Sequence, residues 1–245
     1  ETSELAYQEI SDRCYNVLKV KNISHAVLHI MPDLVINDIL DTSEVYINVL
    51  KSKGIRVINF EDMGSGALAA DLTINALYTS EQFNDCPSVF CGPEYFCLRD
   101  EFIFTSKKEV RDQVSKVLLT FGGTDPSNHT LRVIDNIVES CLYKVVIDIV
   151  LGVGYSKTET LAKFEGSKYK NTVKIHYDVK NISTFIYNSD LVFSGCGRTL
   201  FEIASIGTPT IAIPQNDKEE HHSFASRANG FIVLDRNSKT LNKDI

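Results

Sequence analysis

Apolar and polar positions along the chain switch repeatedly between a period of two and a period near 3.6. From Met31 the residues MPDLVINDILDTSEVYINVLKSKGIRVINFEDMG pass from a β-branched run through a helically spaced segment to a second β-branched run, which predicts a βαβ unit. Tyr46, Val49, Leu50 and Lys53 hold the helical spacing, Gly54 offers a left-handed C-cap, and VINFE resumes the strand pattern. The two strands are expected to run parallel. ADLTINALY supplies another short strand, whereas CPSVFCGPEYFCLRDEF mixes turn residues with aromatics at no clear period, so the inter-domain connection is placed there.

The second half repeats the alternation at VLLTF, KVVIDIVLG, TVKIHY, DLVFSG and TPTIAIP, with helical stretches between, which indicates a parallel, doubly wound sheet. After Pro126 the residues Leu131, Ile134, Val138 and Cys141 fall on one helical face, expected to pack on that sheet. The first half differs because it opens on a helix-like segment rather than a strand and glycine-rich turn. It therefore reads as an incomplete, N-terminally shortened unit.

Composition narrows the function classes. A chain of 245 residues with 43% hydrophobic and 23% charged residues is expected to be globular rather than disordered. Its formal net charge of −7 provides no long-range field for a phosphate backbone, so nucleic acid is not an expected partner. No apolar run approaches the ~20 residues of a membrane span, and the start ETSELAYQEI is unlike a signal peptide, so a cytoplasmic location is inferred. The six cysteines include no CxxC pair, which reads as reduced structural thiols. No metal site is expected from Cys86, Cys91 and Cys97 or from His25 and His29.

Two segments carry the candidate chemistry. VLLTFGGTDPSNHT runs a buried strand into Gly122 and Gly123, then Thr124, Asp125 as a helix N-cap and Pro126 at the first helical position. Such a turn lets backbone approach a ligand and presents a helix N-terminus to phosphate oxygens, although a purely structural strand-to-helix turn has the same composition. DLVFSGCGRTLFEIASIGTP repeats the design at Gly195, Cys196 and Gly197, with a helix ending near Gly207. On that helix Arg198, Glu202 and Ser205 are expected on a polar face opposite Leu200, Ile203 and Ala204. Arg198 in the first turn opposes the macrodipole unless an anion compensates, and Glu202 is placed to accept from ribose hydroxyls; a surface pair between the two is the plain alternative. His221 and His222 follow QNDKEE just beyond the last long strand and are candidates for sugar or phosphate contact, or solvated helix-start histidines.

In their order and spacing, PDLVINDILD, NFEDMG, GPEYFCLRDEF, LLTFGGTDPSN and SGCGRTLFEIASIGTPTIAIPQN resemble the PseG-type UDP-sugar hydrolases of pseudaminic acid biosynthesis, relatives of the GT-B glycosyltransferases. QNDKEEHHSFASRANGF is similar to the domain that follows a sialic-acid-type cytidylyltransferase in some fused bacterial proteins. The resemblance implies an α/β, GT-B-like fold of two Rossmann-type doubly wound parallel-sheet units, an incomplete one over residues 1–98 and a nucleotide-binding one over 99–245. It implies that Gly122, Gly123, Thr124 and Asp125, with Gly195, Gly197, Arg198 and Thr199, hold a diphosphate and that Glu202 holds the ribose. The expected ligand is a UDP- or CMP-sugar, handled without cofactor in the synthesis of a sialic-acid-like (nonulosonic acid) surface polysaccharide, with a fused or partner cytidylyltransferase. Glycosyl transfer and a non-catalytic binding module are the alternatives. The family's GxGHxxR loop, source of its general base, does not occur in these residues, and its Asn-Gln pair is replaced by His221 and His222. The chain by itself is therefore expected to hydrolyse UDP-sugars negligibly, with those two histidines as the weak substitutes.

Overall fold

In the computed structural model, which describes residues 4–139, 145–165 and 173–237, two helices, α1 (Glu4–Asp12) and α2 (Ile23–Ile30), precede β1 (Leu34–Asp38). Helix α3 (Glu44–Lys51) starts where the Ser43 hydroxyl accepts from the Tyr46 N–H, and β2 (Arg56–Phe60), β3 (Leu72–Asn75) and β4 (Val89–Cys91) follow in a sheet of order β1-β2-β3-β4. The pairs β1/β2 and β2/β3 are parallel, the first joined by a crossover through α3. Ile47 and Leu50 of α3 are fully buried against Val35, Ile55 and Val57. Val49 is 38% exposed, because two residues along a helix from Ile47 turn the side chain roughly 200° away. Leu34 and Ile36 alternate onto the opposite face of the sheet, where both are exposed.

At the carboxyl ends of these strands the residues of NFEDMG form a buried clamp. The Asp62 carboxylate accepts from the backbone N–H groups of Thr42 and Gly64, the Thr42 hydroxyl and the Asn59 amide, and Asn75 bridges the Asp62 backbone. With its donors drawn from both loops, this buried carboxylate fixes the loop after β2.

The chain divides into two compact units, one of residues 1–75 and 82–90, the other of residues 76–81 and 91–245. In the second, α4 (Asp100–Ile103) leads to β5 (Lys116–Thr120), α5 (His129–Glu139), β6 (Val146–Leu151), α6 (Ala162–Glu165), β7 (Val173–Tyr177), α7 (Ile182–Asn188) and β8 (Leu191–Ser194). Then come α8 (Thr199–Ile206), β9 (Thr210–Ala212), α9 (Asp217–Glu220) and β10 (Ile232–Val233). The sheet order is β10-β9-β8-β5-β6-β7 with every neighbouring pair parallel. The two-residue β10 has too short an apolar run to register as a strand in the sequence.

Alternation along each strand sorts the core into two layers. Val117, Leu119, Ile147, Ile149 and Phe193 pack with Val133, Ile134 and Ile137 of α5 on one face, whereas Leu118, Val150 and Val192 pack with α7 and α8 on the other. Of the face expected on α5, Leu131, Ile134 and Val138 pack in the first layer, and Cys141 lies outside the described residues. The junction also has a packing logic that its irregular sequence hides. Phe96 stacks on Phe201, ring centroids 4.1 Å apart, and Phe201 stacks on Phe224 at 3.9 Å. These contacts join GPEYFCLRDEF to α8 of the second unit.

The start of the sheet is held by Asp190, whose side chain is 1% exposed. Its carboxylate accepts from the backbone N–H groups of Ser115 and Lys116 at 2.9 Å, from the Ser115 hydroxyl at 2.7 Å and from Arg111 Nη1 at 3.1 Å, joining the amino ends of β5 and β8. Burial alone would raise its pKa, but these donors and Lys108 outweigh burial and hold it at about 2, below the ordinary 3.8. Because the folded value is the lower one, this stability is present above pH ~4 and is lost as the pH falls toward 2. Asp190→Asn is therefore expected to cost about 2 kcal/mol in urea unfolding at pH 7, with the gap from the wild type closing between pH 4 and about 2.

Candidate functional site

The strand order reverses its winding between β5 and β8: from β5 the chain builds outward through β6 and β7, and from β8 outward through β9 and β10. The loops leaving two such neighbours diverge to opposite faces and open a crevice at the carboxyl edge. Both glycine turns singled out in the sequence lie here.

The first turn leaves β5 through Phe121. Gly122 takes φ +73°, a left-handed conformation that a side chain would strain. The turn is braced by the loop after β6, where a Cβ on Gly152 would sit 2.5 Å from the Gly123 Cα, and Gly154 N donates to Gly123 O at 3.0 Å. Asp125 caps the helix from further back than its sequence position suggested. Helix α5 begins at His129, not Pro126; Asp125 is itself left-handed (φ +40°), and its two oxygens accept from the N–H groups of His129 and Thr130 at 2.8 and 2.9 Å. Residues 124–128 therefore separate the glycines from the helix, with the Asp125 side chain buried among them.

The second turn leaves β8 through Gly195, Cys196 and Gly197. Arg198 occupies the N-cap position of α8 with no side chain capping the helix, and Gly207 at φ +86° ends it. The expected polar face is not realised as such. Glu202 is 8% exposed while Ala204 is exposed, because the sheet and the junction segment cover α8 from two sides. Glu202 pairs not with Arg198 but with Arg99, whose Nε donates to Glu202 Oε1 at 2.7 Å while its Nη1 lies 2.9 Å from Glu101 Oε1. Arg99 is partly buried, which disfavours its charge, yet Glu202 and Glu101 together hold its guanidinium above its ordinary value.

A cavity of about 330 Å³ lies between the turns, lined by Gly122, Gly123, Thr124, Gly195, Gly197, Arg198 and Thr199 together with Ser194, Gln215 and Glu219. A second, of about 230 Å³, shares Gly122, Gly123 and Thr199 and extends to Glu202, Arg99, Gly152 and Asp178. The buried Ser194 Oγ and Gln215 Oε1 at the first cavity have no hydrogen-bond partner within the protein, a costly arrangement that suits a bound polar group. Gln215 also links the turns, its amide nitrogen donating to Phe121 O at 2.7 Å.

The histidines take other positions. His221 ends the four-residue α9, so it is not at a helix start, and it is exposed; His222 is buried, with Nδ1 2.8 Å from Cys196 O and its ring edge-on to Tyr78 at a centroid distance of 4.8 Å. Neither lines the two cavities. Cys196 cannot serve as a thiolate nucleophile, since burial, with Glu219 and Glu220 adding to it, pushes its pKa to about 12. Among the described residues no group of three His, Cys, Asp or Glu side chains is placed to hold a metal ion, and no helix is long and apolar enough to cross a membrane. Sequence reasoning missed Arg99, Ser194, Gln215 and Glu219. PQND directly after a strand was the available signal for Gln215; nothing local marks Arg99, which lies 103 positions from its partner Glu202.

Residues 117–242 match the glycosyltransferase family 28 C-terminal domain. An uncharacterized protein of Methanocaldococcus jannaschii, MJ1062, is 27% identical over 234 residues, a match covering 89% of this chain and 48% of that protein. The chain thus spans about half the length of the curated relative it matches. The crystal structure of MurG from Acinetobacter baumannii superposes with a TM-score of 0.62 at 11% identity, over 98% of this chain and 77% of that one. The spinosyn rhamnosyltransferase SpnG, solved with thymidine diphosphate, superposes at 0.54 and 16% identity, over 86% of this chain and 61% of that one. At these identities the likeness establishes a shared fold, GT-B-like with two parallel-sheet α/β units.

The contact of Gly152 with the first turn gives a direct test. Gly152→Ala forces a methyl group into the Gly123 backbone, so it is expected to cost about 1 to 3 kcal/mol in chemical unfolding. Unchanged stability would mean that the first turn is not braced by the loop after β6.

Proposed function

The chain belongs to the family of the glycosyltransferase family 28 C-terminal domain, and from that premise we propose that its second unit binds a nucleoside-diphosphate sugar in the paired cavities at the β5/β8 crevice. The carrying observation is the first cavity itself: two glycine turns and the uncapped N-terminus of α8 face a space walled by the unpartnered Ser194 Oγ and Gln215 Oε1. Backbone N–H groups and a helix N-terminus offer partial positive charge to phosphate oxygens, and Arg198 adds a full one. In this reading Gly122, Gly123, Thr124, Gly195, Gly197, Arg198 and Thr199 line the diphosphate, while Asp125 contributes indirectly by fixing the turn. Glu202 takes the ribose in the adjoining cavity. Arg99 occupies only its Oε1 in the hydrogen bond between them, which leaves Oε2 for a hydroxyl.

The chemistry we attach to this site is that of a UDP-sugar hydrolase serving the synthesis of a sialic-acid-like surface sugar, with a CMP-sugar as the other nucleotide class. The support is the order of the motifs PDLVINDILD, GPEYFCLRDEF, LLTFGGTDPSN and SGCGRTLFEIASIGTPTIAIPQN. Water displaces the nucleoside diphosphate from the sugar's anomeric carbon, and the proton the water loses passes to a base. His222 is buried and lines neither cavity, which leaves it away from the water to be activated in this reading. We place it instead as a support of the second turn. Association with a fused or partner cytidylyltransferase belongs to the same reading and rests on QNDKEEHHSFASRANGF. The family description favours a second reading, transfer of the sugar to an acceptor other than water.

Calorimetric titration with UDP, UMP, CDP and CMP is expected to show binding of at least one diphosphate, and no heat from any at millimolar concentration would remove the proposed site. Arg198→Ala is expected to weaken diphosphate binding by about 1 to 3 kcal/mol and leave nucleoside binding unchanged, whereas Glu202→Ala weakens both. Equal affinity of both variants and wild type would show that these side chains make no ligand contact.

UDP release separates the readings of chemistry. With a UDP-diacetamido-sugar, release in buffer alone is the outcome of hydrolysis, and release only when a hydroxyl acceptor is added is the outcome of transfer. We expect turnover by residues 1–245 to be negligible and unchanged by His222→Ala. Robust turnover lost on that substitution would overturn the supporting role given to His222.

A further inference from the structure

Glu219 occupies an unusual place for an anion. It projects from α9 into the first cavity, and its Oε2 accepts from Cys196 N at 2.9 Å and from Gln215 N at 3.0 Å. A carboxylate thereby holds a backbone N–H of the second glycine turn, beside the cavity where the proposed ligand's phosphates lie. The neighbouring acids of α9 are balanced, since Arg236 lies 2.6 Å from Asp217 and 3.3 Å from Glu220. Among the described residues no cation pairs with Glu219, so its charge stays directed at the cavity. Ser194 Oγ, buried and unpartnered in the same wall, independently marks this space as one that takes a polar ligand.

The charge of the ligand changes when the sugar leaves. An esterified nucleoside diphosphate carries two negative charges, whereas a free one has a terminal phosphate whose last proton has a pKa of about 6 and so carries nearly three at neutral pH. The added charge appears on the phosphate that bore the sugar. A fixed carboxylate within a few ångströms acts against that third charge far more than against the diester. We infer that Glu219 is a specificity-determining residue, making the site prefer the intact nucleoside-diphosphate sugar over the free nucleoside diphosphate. The inference rests on the nucleotide-sugar reading of the site. Its consequence is weakened binding of the product once the sugar has departed.

The test titrates the full chain with UDP and, as diester probe, UDP-N-acetylglucosamine at pH 8. Glu219→Gln keeps the size and one acceptor of the side chain but removes its charge. It is expected to tighten UDP binding by about threefold to tenfold while changing the diester affinity less than twofold, and Glu219→Asp is expected to keep the wild-type ratio. Equal weakening of both ligands by Glu219→Gln would reduce Glu219 to a support of the turn and overturn the inference. A second measurement compares salt dependence. Raising salt is expected to narrow the difference in UDP affinity between wild type and Glu219→Gln, because screening weakens the repulsion by Glu219 while both proteins share the other charges; a difference that does not change with salt would overturn the inference. Failure of the wild type to bind either ligand is a different result, which removes the nucleotide-sugar site itself.

Discussion

Neighbouring parallel strands whose connections leave in opposite directions cannot share a covering loop at their carboxyl ends. In this protein that constraint falls on β5 and β8, which pair directly from Val117↔Leu191 to Thr120↔Ser194 while α5 and α8 depart to opposite faces of the sheet. The gap between the departing turns exists before any side chain shapes it. Asp190 fastens the same two strands at their amino ends with backbone hydrogen bonds, so the register that defines the crevice is set from the far side of the sheet.

How the crevice is furnished follows from what each turn must do. The first turn stays low because Gly152, just after β6, lies directly against Gly123 and because Asp125 is drawn beneath it to cap α5. The second stays open because its cap comes from elsewhere: Glu219 and His222, both beyond β9, hold the N–H and C=O of Cys196. The segment PQNDKEEHH is thus a support for the earlier turn, reaching Cys196 across 23 and 26 positions, and also lends the cavity its negative wall. In the proposed site a positive lining from Arg198 and backbone N–H groups faces the Glu219 carboxylate, a balance suited to a ligand of limited charge.

The junction segment shows how one stretch serves two purposes. Phe96 continues a three-ring stack onto α8, Phe102 enters the buried core beneath it, and Arg99 between them reaches Glu202. The aromatic contacts fix the backbone on both sides of the arginine. A flexible, partly exposed guanidinium is thereby brought to one oxygen of a carboxylate at the edge of the second cavity.

Periodicity by itself determined the parallel α/β architecture, the five long strands of the second unit, the βαβ start of the first and the positions of both glycine turns. These are local properties: a β-branched run, a helical spacing and a glycine where the chain must reverse are all written within a dozen residues. The motif resemblance added the GT-B-like class. Only the tertiary structure decided which way Glu202 faces, since two covering layers rather than one decide the exposure of α8 and its actual partner is Arg99. Likewise it placed Asp125 under its turn, withdrew His222 into a backbone contact and brought Ser194, Gln215 and Glu219 to one cavity. Apart from the local capping by Asp125, the contacts of Glu202 and of the Cys196 turn span 23 to 103 positions, and no local pattern of hydrophobic and polar residues encodes which distant strand or helix will arrive as the partner.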